Sequence, residues 1–182
     1  RGAFSSALSN AELTIEENGP VRAVVKTEGD LVAEDGSESF RIEQRIEAWR
    51  DRPFVRVHHT FTNTLPDDVS ATTLDTVAAG RFVDIERISL VVPAEGGSWQ
   101  APLREGEPLE LSAGDSVWQR FHDEFEAAGG DAVTDRIIGG LVADGGAMAV
   151  TVRDFWQQYP KGFEIAGDAV RVDLAPDFEA GL

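Results

Sequence analysis

The chain has 182 residues, 33 acidic and 16 basic, for a formal charge of −17, and it holds no cysteine. That length suits one domain with a substantial core. The charge argues against binding a nucleic-acid backbone or an anionic membrane, which need a basic footprint, and the missing cysteine removes disulfides, thiolate metal sites and cysteine nucleophiles.

The dominant period is two. "AELTIEE" leads into "VRAVVKTEGDL" across Asn18-Gly19-Pro20, which is tight-turn chemistry. In "SFRIEQRIEAW", Phe40, Ile42, Gln44 and Ile46 share one side and Arg41, Glu43, Arg45 and Glu47 the other. "FVRVHHTFTNT" places Val55, Val57, His59 and Phe61 together and turns Arg56, His58 and Thr60 away. Such alternation predicts half-buried strands. His58 and His59 then face opposite ways and cannot ligate one ion, and His59 reads as a hydrogen-bonded core histidine. The acidic pair Asp67-Asp68 reads as solvated surface and has no metal-ligand spacing.

"RFVDIERISLVVP" predicts a long strand, "AEGGSWQAPLREGEP" a loop, and "SVWQRFHDEF" one further strand. "EAAGGDAVTD" reads as loop or a short helical turn. "RIIGGLVADGG" and "AMAVTVRDFW" predict a hairpin across Asp144-Gly145-Gly146, with a bulge at Gly139-Gly140. "FEIAGDAVRVDLAP" supplies a last pair turning at Gly167-Asp168. Roughly ten short strands with turn punctuation and no long helix predict an all-β, antiparallel β-sandwich. No apolar run approaches the roughly 18 residues that cross a bilayer, and no linker is visible. The chain reads as a single β-sandwich domain over 1–182. It begins at Arg1 and ends in "DFEAGL", and so reads as a piece excised from a larger multidomain protein.

The pieces "GPVRAVVKTEG", "IEAWRDRPFVRVHHTFTNT", "DIERISLVVP", "AVTVRDFWQQYPKGFEI" and "VRVDLAP" occur in this order over nearly the whole chain. Together they resemble the central sandwich of the exo-rhamnogalacturonan lyase, or YetA-like, family. The resemblance implies a sandwich of the supersandwich, galactose-mutarotase-like type. It also implies a parent polysaccharide lyase, with a β-rich domain before this one and a helical toroid after it. The substrate would be rhamnogalacturonan, the pectin backbone, or another uronate-containing polysaccharide. The family's catalytic residues do not map onto this chain position by position. The expected role is therefore to brace the toroid and line its cleft, without activity in isolation. A non-catalytic carbohydrate-binding module or a structural spacer are the alternatives. No cofactor is implied, although β-elimination is compatible with a divalent cation such as calcium. Secretion, cell-surface display and a cytoplasmic location all stay open.

A uronate lyase needs a cation to neutralise the carboxylate, a base to take the proton, and an acid for the leaving oxygen. Two stretches have suitable ingredients. On one regular strand, Trp118, Arg120 and His122 would share a face, giving a stacking surface and a carboxylate partner, or else an exposed polar face. In "RDFWQQYPKG", Arg153, Phe155 and Gln157 would alternate against Asp154, Trp156 and Gln158 until Pro160 stops the ladder. Arg153, Trp156, Tyr159 and Lys161 would then sit at a strand end. There they form either a plug against a neighbouring domain or a saccharide platform with Lys161 as its cation.

Overall fold

The computed structural model describes residues 4–33, 36, 38–64, 87–94, 97–127 and 130–175, with only the backbone of residues 4–7 and 39. The start of the long strand expected at 81–86 and the pair Asp67-Asp68 lie outside these residues. Among the described residues the protein is antiparallel β-structure throughout, with thirteen strands and one 3-10 turn. No helix of the described residues is long and apolar enough to cross a membrane. The stretch read as one domain comprises two compact units, Arg1–Val83 and Asp84–Leu182.

The first unit is a meander of β1 (Phe4–Asn18), β2 (Arg22–Ala33), β3 (Glu38–Trp49) and β4 (Val55–Asn63), in that order across the sheet. Its register lines up one apolar row: Ile15 opposite Val25, Val25 opposite Ile46, Ile46 opposite Val57. Phe40 and Phe61 stack at 4.7 Å on the same face. The other face is charged. Lys26 pairs with Glu28 at 2.7 Å, Arg41 with Glu28 at 3.2 Å, and Arg45 with Glu16 and Glu43. His58 lies on this charged face, 3.7 Å from Glu47. His59 lies on the apolar face, where Gln44 Nε2 is 3.2 Å from its Nδ1. Burial holds the His59 imidazole below its ordinary pKa.

The second unit is a sandwich. One sheet runs β11 (Ala149–Thr151), β10 (Gly140–Ala143), β6 (Ser98–Ala101), β7 (Leu109–Ser112). The other runs β5 (Ile88–Pro93), β13 (Ala169–Ala175), β12 (Lys161–Ile165), β8 (Ser116–Phe121), β9 (Glu124–Ala127). Alternate residues from both sheets close one core, in which Trp99, Val117, Leu141, Phe155, Phe163, Ile165 and Val170 are buried. The expected hairpin forms between β10 and β11 through the 3-10 turn Asp144–Gly146.

Four local expectations change. The presumed loop around Trp99 contains β6, because Trp99 and Ala101 point into the core. "SVWQRFHDEF" is a hairpin rather than one strand, turning at His122-Asp123 between β8 and β9. The following residues to Ala127 continue β9 rather than a loop or helical turn. Gly139 is not a bulge within a strand but precedes β10 at φ +79°. A Cβ there would meet Val152 O at 2.8 Å, so the close approach of that backbone requires glycine.

Candidate functional site

The strand expected to run through Trp156 stops at Thr151. Residues 153–158 coil into a turn that carries the chain from one sheet to the other. Asp154 takes φ +53°, and Gln158 N donates to Asp154 O at 2.9 Å. The physical reason is Phe155. Its ring is 1% exposed and lies parallel to Phe163 at 4.7 Å, so core burial pulls the chain inward and overrides continued pairing. The turn leaves Trp156, Gln158 and Tyr159 outside, and the Tyr159-Pro160 peptide is cis.

Around this turn an aromatic and cationic cluster assembles at one end of the sandwich. The Arg136 guanidinium lies 4.6 Å above the Trp156 ring. Tyr159 meets Phe121 edge-on at 6.0 Å, and both are about half exposed, at 42% and 50%. Lys161 Nζ donates to Gln158 O at 2.7 Å. Burial lowers its pKa from the ordinary lysine value. Among the described residues no carboxylate is within ion-pairing distance of Lys161 or Arg136.

A buried amide fixes the base of the cluster. Gln119 is fully buried, donates to Phe121 O at 2.7 Å and Glu124 O at 3.0 Å, and accepts from Ile137 N at 2.8 Å. It thereby ties the β8–β9 turn to the segment bearing Arg136. Asp135 caps the same segment, accepting from Arg136 N at 2.7 Å and Gly106 N at 3.0 Å. Arg136 Nε then donates to His122 O at 2.8 Å, which holds the guanidinium over Trp156.

The structure therefore gathers Trp156, Tyr159 and Lys161, with His122 touching the cluster through its carbonyl. It separates the other candidates. Arg153 is 94% exposed and pairs with its neighbour Asp154 at 3.3 Å. Trp118 and Arg120 lie on the outer face of the five-stranded sheet, where Arg120 pairs with Glu126 at 2.9 Å. His122 is not on their strand face, because the turn rotates it away. Its ring is 61% exposed and faces Asp123 at 3.3 Å. Phe121, Arg136 and Gln119 are the members that sequence reading missed. Phe121 was legible only as half of an unseen hairpin, and Arg136 has no local signature in "VTDRIIG".

Trp118 has a different role. It sits in a cross-strand row of Trp118, Gly162, Asp173 and Ser89. A Cβ on Gly162 would lie 2.3 Å from Trp118 Cδ1, so the indole occupies the space a side chain would need. Asp173 is fully buried, with Ser89 Oγ 2.5 Å from Oδ1 and Arg87 Nε 3.7 Å away. Asp173 Oδ2 and Trp118 Nε1 are both buried and have no hydrogen-bond partner among the described residues. Burial raises the Asp173 pKa above the ordinary aspartate value, against the opposing pull of Ser89 and Arg87.

Among the described residues no three His, Asp or Glu side chains gather as metal ligands. Comparison with protein-family models, with curated proteins and with solved structures gives no match for this chain.

Proposed function

We propose that this chain is a non-catalytic saccharide-binding sandwich of a polysaccharide lyase acting by β-elimination on rhamnogalacturonan or a related uronate-containing polysaccharide. The observation that carries the binding role is Lys161. In a chain of charge −17, its ammonium has no carboxylate partner among the described residues and donates to the carbonyl of Gln158, which adjoins Tyr159 of the half-exposed Phe121–Tyr159 pair. An aromatic face beside an uncompensated cation suits a sugar ring bearing a carboxylate. The lyase assignment rests on the sequence resemblance. The histidines are engaged elsewhere, His58 by Glu47, His59 by Gln44 and the His122 ring by Asp123, which favours binding without turnover.

A second reading, a brace against a neighbouring domain, is favoured by the first unit. Leu13, Ile15, Val55 and Val57 on its apolar face are 68%, 62%, 58% and 48% exposed, an apolar patch of the kind that marks an interaction surface.

Calorimetric titration with rhamnogalacturonan oligosaccharides, with ultraviolet detection of unsaturated product, tests the proposal. Binding without product is expected, about tenfold weaker in Lys161→Gln for a lost charge-assisted hydrogen bond. Absence of binding leaves the brace reading. Product formed by the chain alone overturns the non-catalytic assignment.

A further inference from the structure

The turn between β3 and β4 carries a basic excess that the reading above does not use. Arg50, Arg52 and Arg56 follow one another around it, and Arg22 lies opposite Trp49 on β2. Arg22 pairs with Glu17 at 3.1 Å. Arg22, Arg56 and His58 also converge on one carboxylate, Glu47, at 3.8, 3.7 and 3.7 Å. Among the described residues, Arg50 and Arg52 have no carboxylate within ion-pairing distance. Four guanidinium groups thus face three carboxylates, Glu17, Glu47 and Asp51, in a chain where acids outnumber bases two to one.

The same place is concave and aromatic. An open hollow of about 340 Å³ is lined by Gly19, Pro20, Val21, Arg22, Trp49 and Arg50, at the lower end of the roughly 300–1,000 Å³ typical of small-molecule sites. Trp49 packs against Phe54 at 5.5 Å, and the Arg56 guanidinium lies 5.3 Å from the Trp49 centroid. Backbone bonds hold the shape: Arg50 N donates to Val21 O at 2.9 Å, and Arg52 N to Trp49 O at 3.3 Å. The first joins the floor of the hollow to the opposite turn. The second closes the turn that presents Arg50 and Arg52.

We propose that the Trp49 hollow is a second saccharide site, taking a carboxylate-bearing sugar ring against the Trp49–Phe54 pair with its carboxylate on Arg50 and Arg52. Guanidinium groups pair with a carboxylate through two parallel hydrogen bonds, and the face of an aromatic ring accepts the apolar face of a sugar. The sugar chemistry rests on the saccharide reading above, but the site and its residues are separate from the Lys161 cluster.

The experiment follows the indole N–H signals of Trp49 and Trp156 by NMR in the intact chain, each assigned by its loss in Trp49→Phe or Trp156→Phe. The ligands are trigalacturonate, a neutral galactose trisaccharide and inorganic phosphate. Trp49 is expected to shift with trigalacturonate and not with the neutral sugar. Arg50→Gln with Arg52→Gln should weaken that response at least tenfold and leave the Trp156 response unchanged. Both arginines are exposed, so the double variant is expected to fold. A stationary Trp49 signal overturns the proposal, as does an equal response to the neutral sugar. An equal response to phosphate reduces the site to a bare anion contact and also overturns it. If Trp156 alone responds, the Lys161 cluster stands and this site falls. If Trp49 alone responds, the outcome reverses.

Discussion

The two units use the same alternating pattern to different ends. In Asp84–Leu182, two sheets enclose their inward residues, and Ala101, Val117, Ile137, Leu141, Phe163 and Val170 are fully buried. In Arg1–Val83, one sheet keeps Val24, Phe40 and Ile42 buried, yet Leu13, Ile15, Val55 and Val57 are largely exposed. Period two therefore sorts side chains to faces in both units but does not decide whether a face is covered. Stabilisation follows apolar area removed from water. It should concentrate in the second unit, while the ion pairs on the first sheet's charged face contribute little.

The largest expected effect tests that contrast directly. Phe163→Ala removes a fully buried ring that stacks on Phe155, and should cost about 3–5 kcal/mol in chemical denaturation. Val57→Ala, on the exposed half of the first sheet's apolar face, should stay within about 0.5 kcal/mol. Comparable losses would show that the exposed face is covered in solution.

Gly162→Ala should be next, at about 1–3 kcal/mol, because its methyl would drive into the Trp118 indole on the adjacent strand. A quenched or shifted Trp118 emission should accompany the loss. An unaffected melting temperature would mean that the indole does not lie across this glycine.

A smaller effect concerns pH. Burial raises the Asp173 pKa in the folded state, so folding favours its protonated form. Its contribution is most favourable below the unfolded value, near the ordinary 3.8, and is lost as pH rises through the higher native value. Asp173→Asn keeps the shape without the ionisation. The stability of the parent relative to this variant should therefore fall with rising pH over that window. A constant difference would place the carboxyl in a more solvated setting.

The smallest effect belongs to the charged face of the first unit. Arg45→Gln breaks its pairs with Glu16 and Glu43, whose side chains are partly exposed. The change should be near the limit of detection and should vanish in high salt, as screening requires. A salt-resistant loss would assign this face a structural weight equal to the sandwich core.

Several elements were legible in the residues alone. Alternation in "SFRIEQRIEAW" and "FVRVHHTFTNT" separated the apolar from the charged face and sent His58 and His59 to opposite sides. Asp144-Gly145-Gly146 marked its hairpin, because glycine accepts the positive φ values found at 145 and 146. Pro160 was expected to end strand pairing beside Trp156, Tyr159 and Lys161, but pairing ends at Thr151 and resumes at Lys161, so the turn between them has another cause.

What the sequence by itself determined was the period, hence the all-β class and, where a strand runs unbroken, the face on which a residue stands. Tertiary structure decided the rest. The β8–β9 turn at His122-Asp123 has no glycine, proline or asparagine to announce it, and pairing across Gln119 and Phe125 selected it. Residues 153–158 left the strand because burying Phe155 against Phe163 outweighed further ladder bonds. Arg136 meets Trp156 because Gln119 and Asp135 hold its segment and His122 O holds its guanidinium. Asp173 alternates like a surface residue, yet it is fully enclosed in a row where Gly162 makes room for the Trp118 indole. Local sequence fixes the direction of a side chain through backbone geometry, whereas its environment depends on residues distant in the chain, which only folding brings within reach.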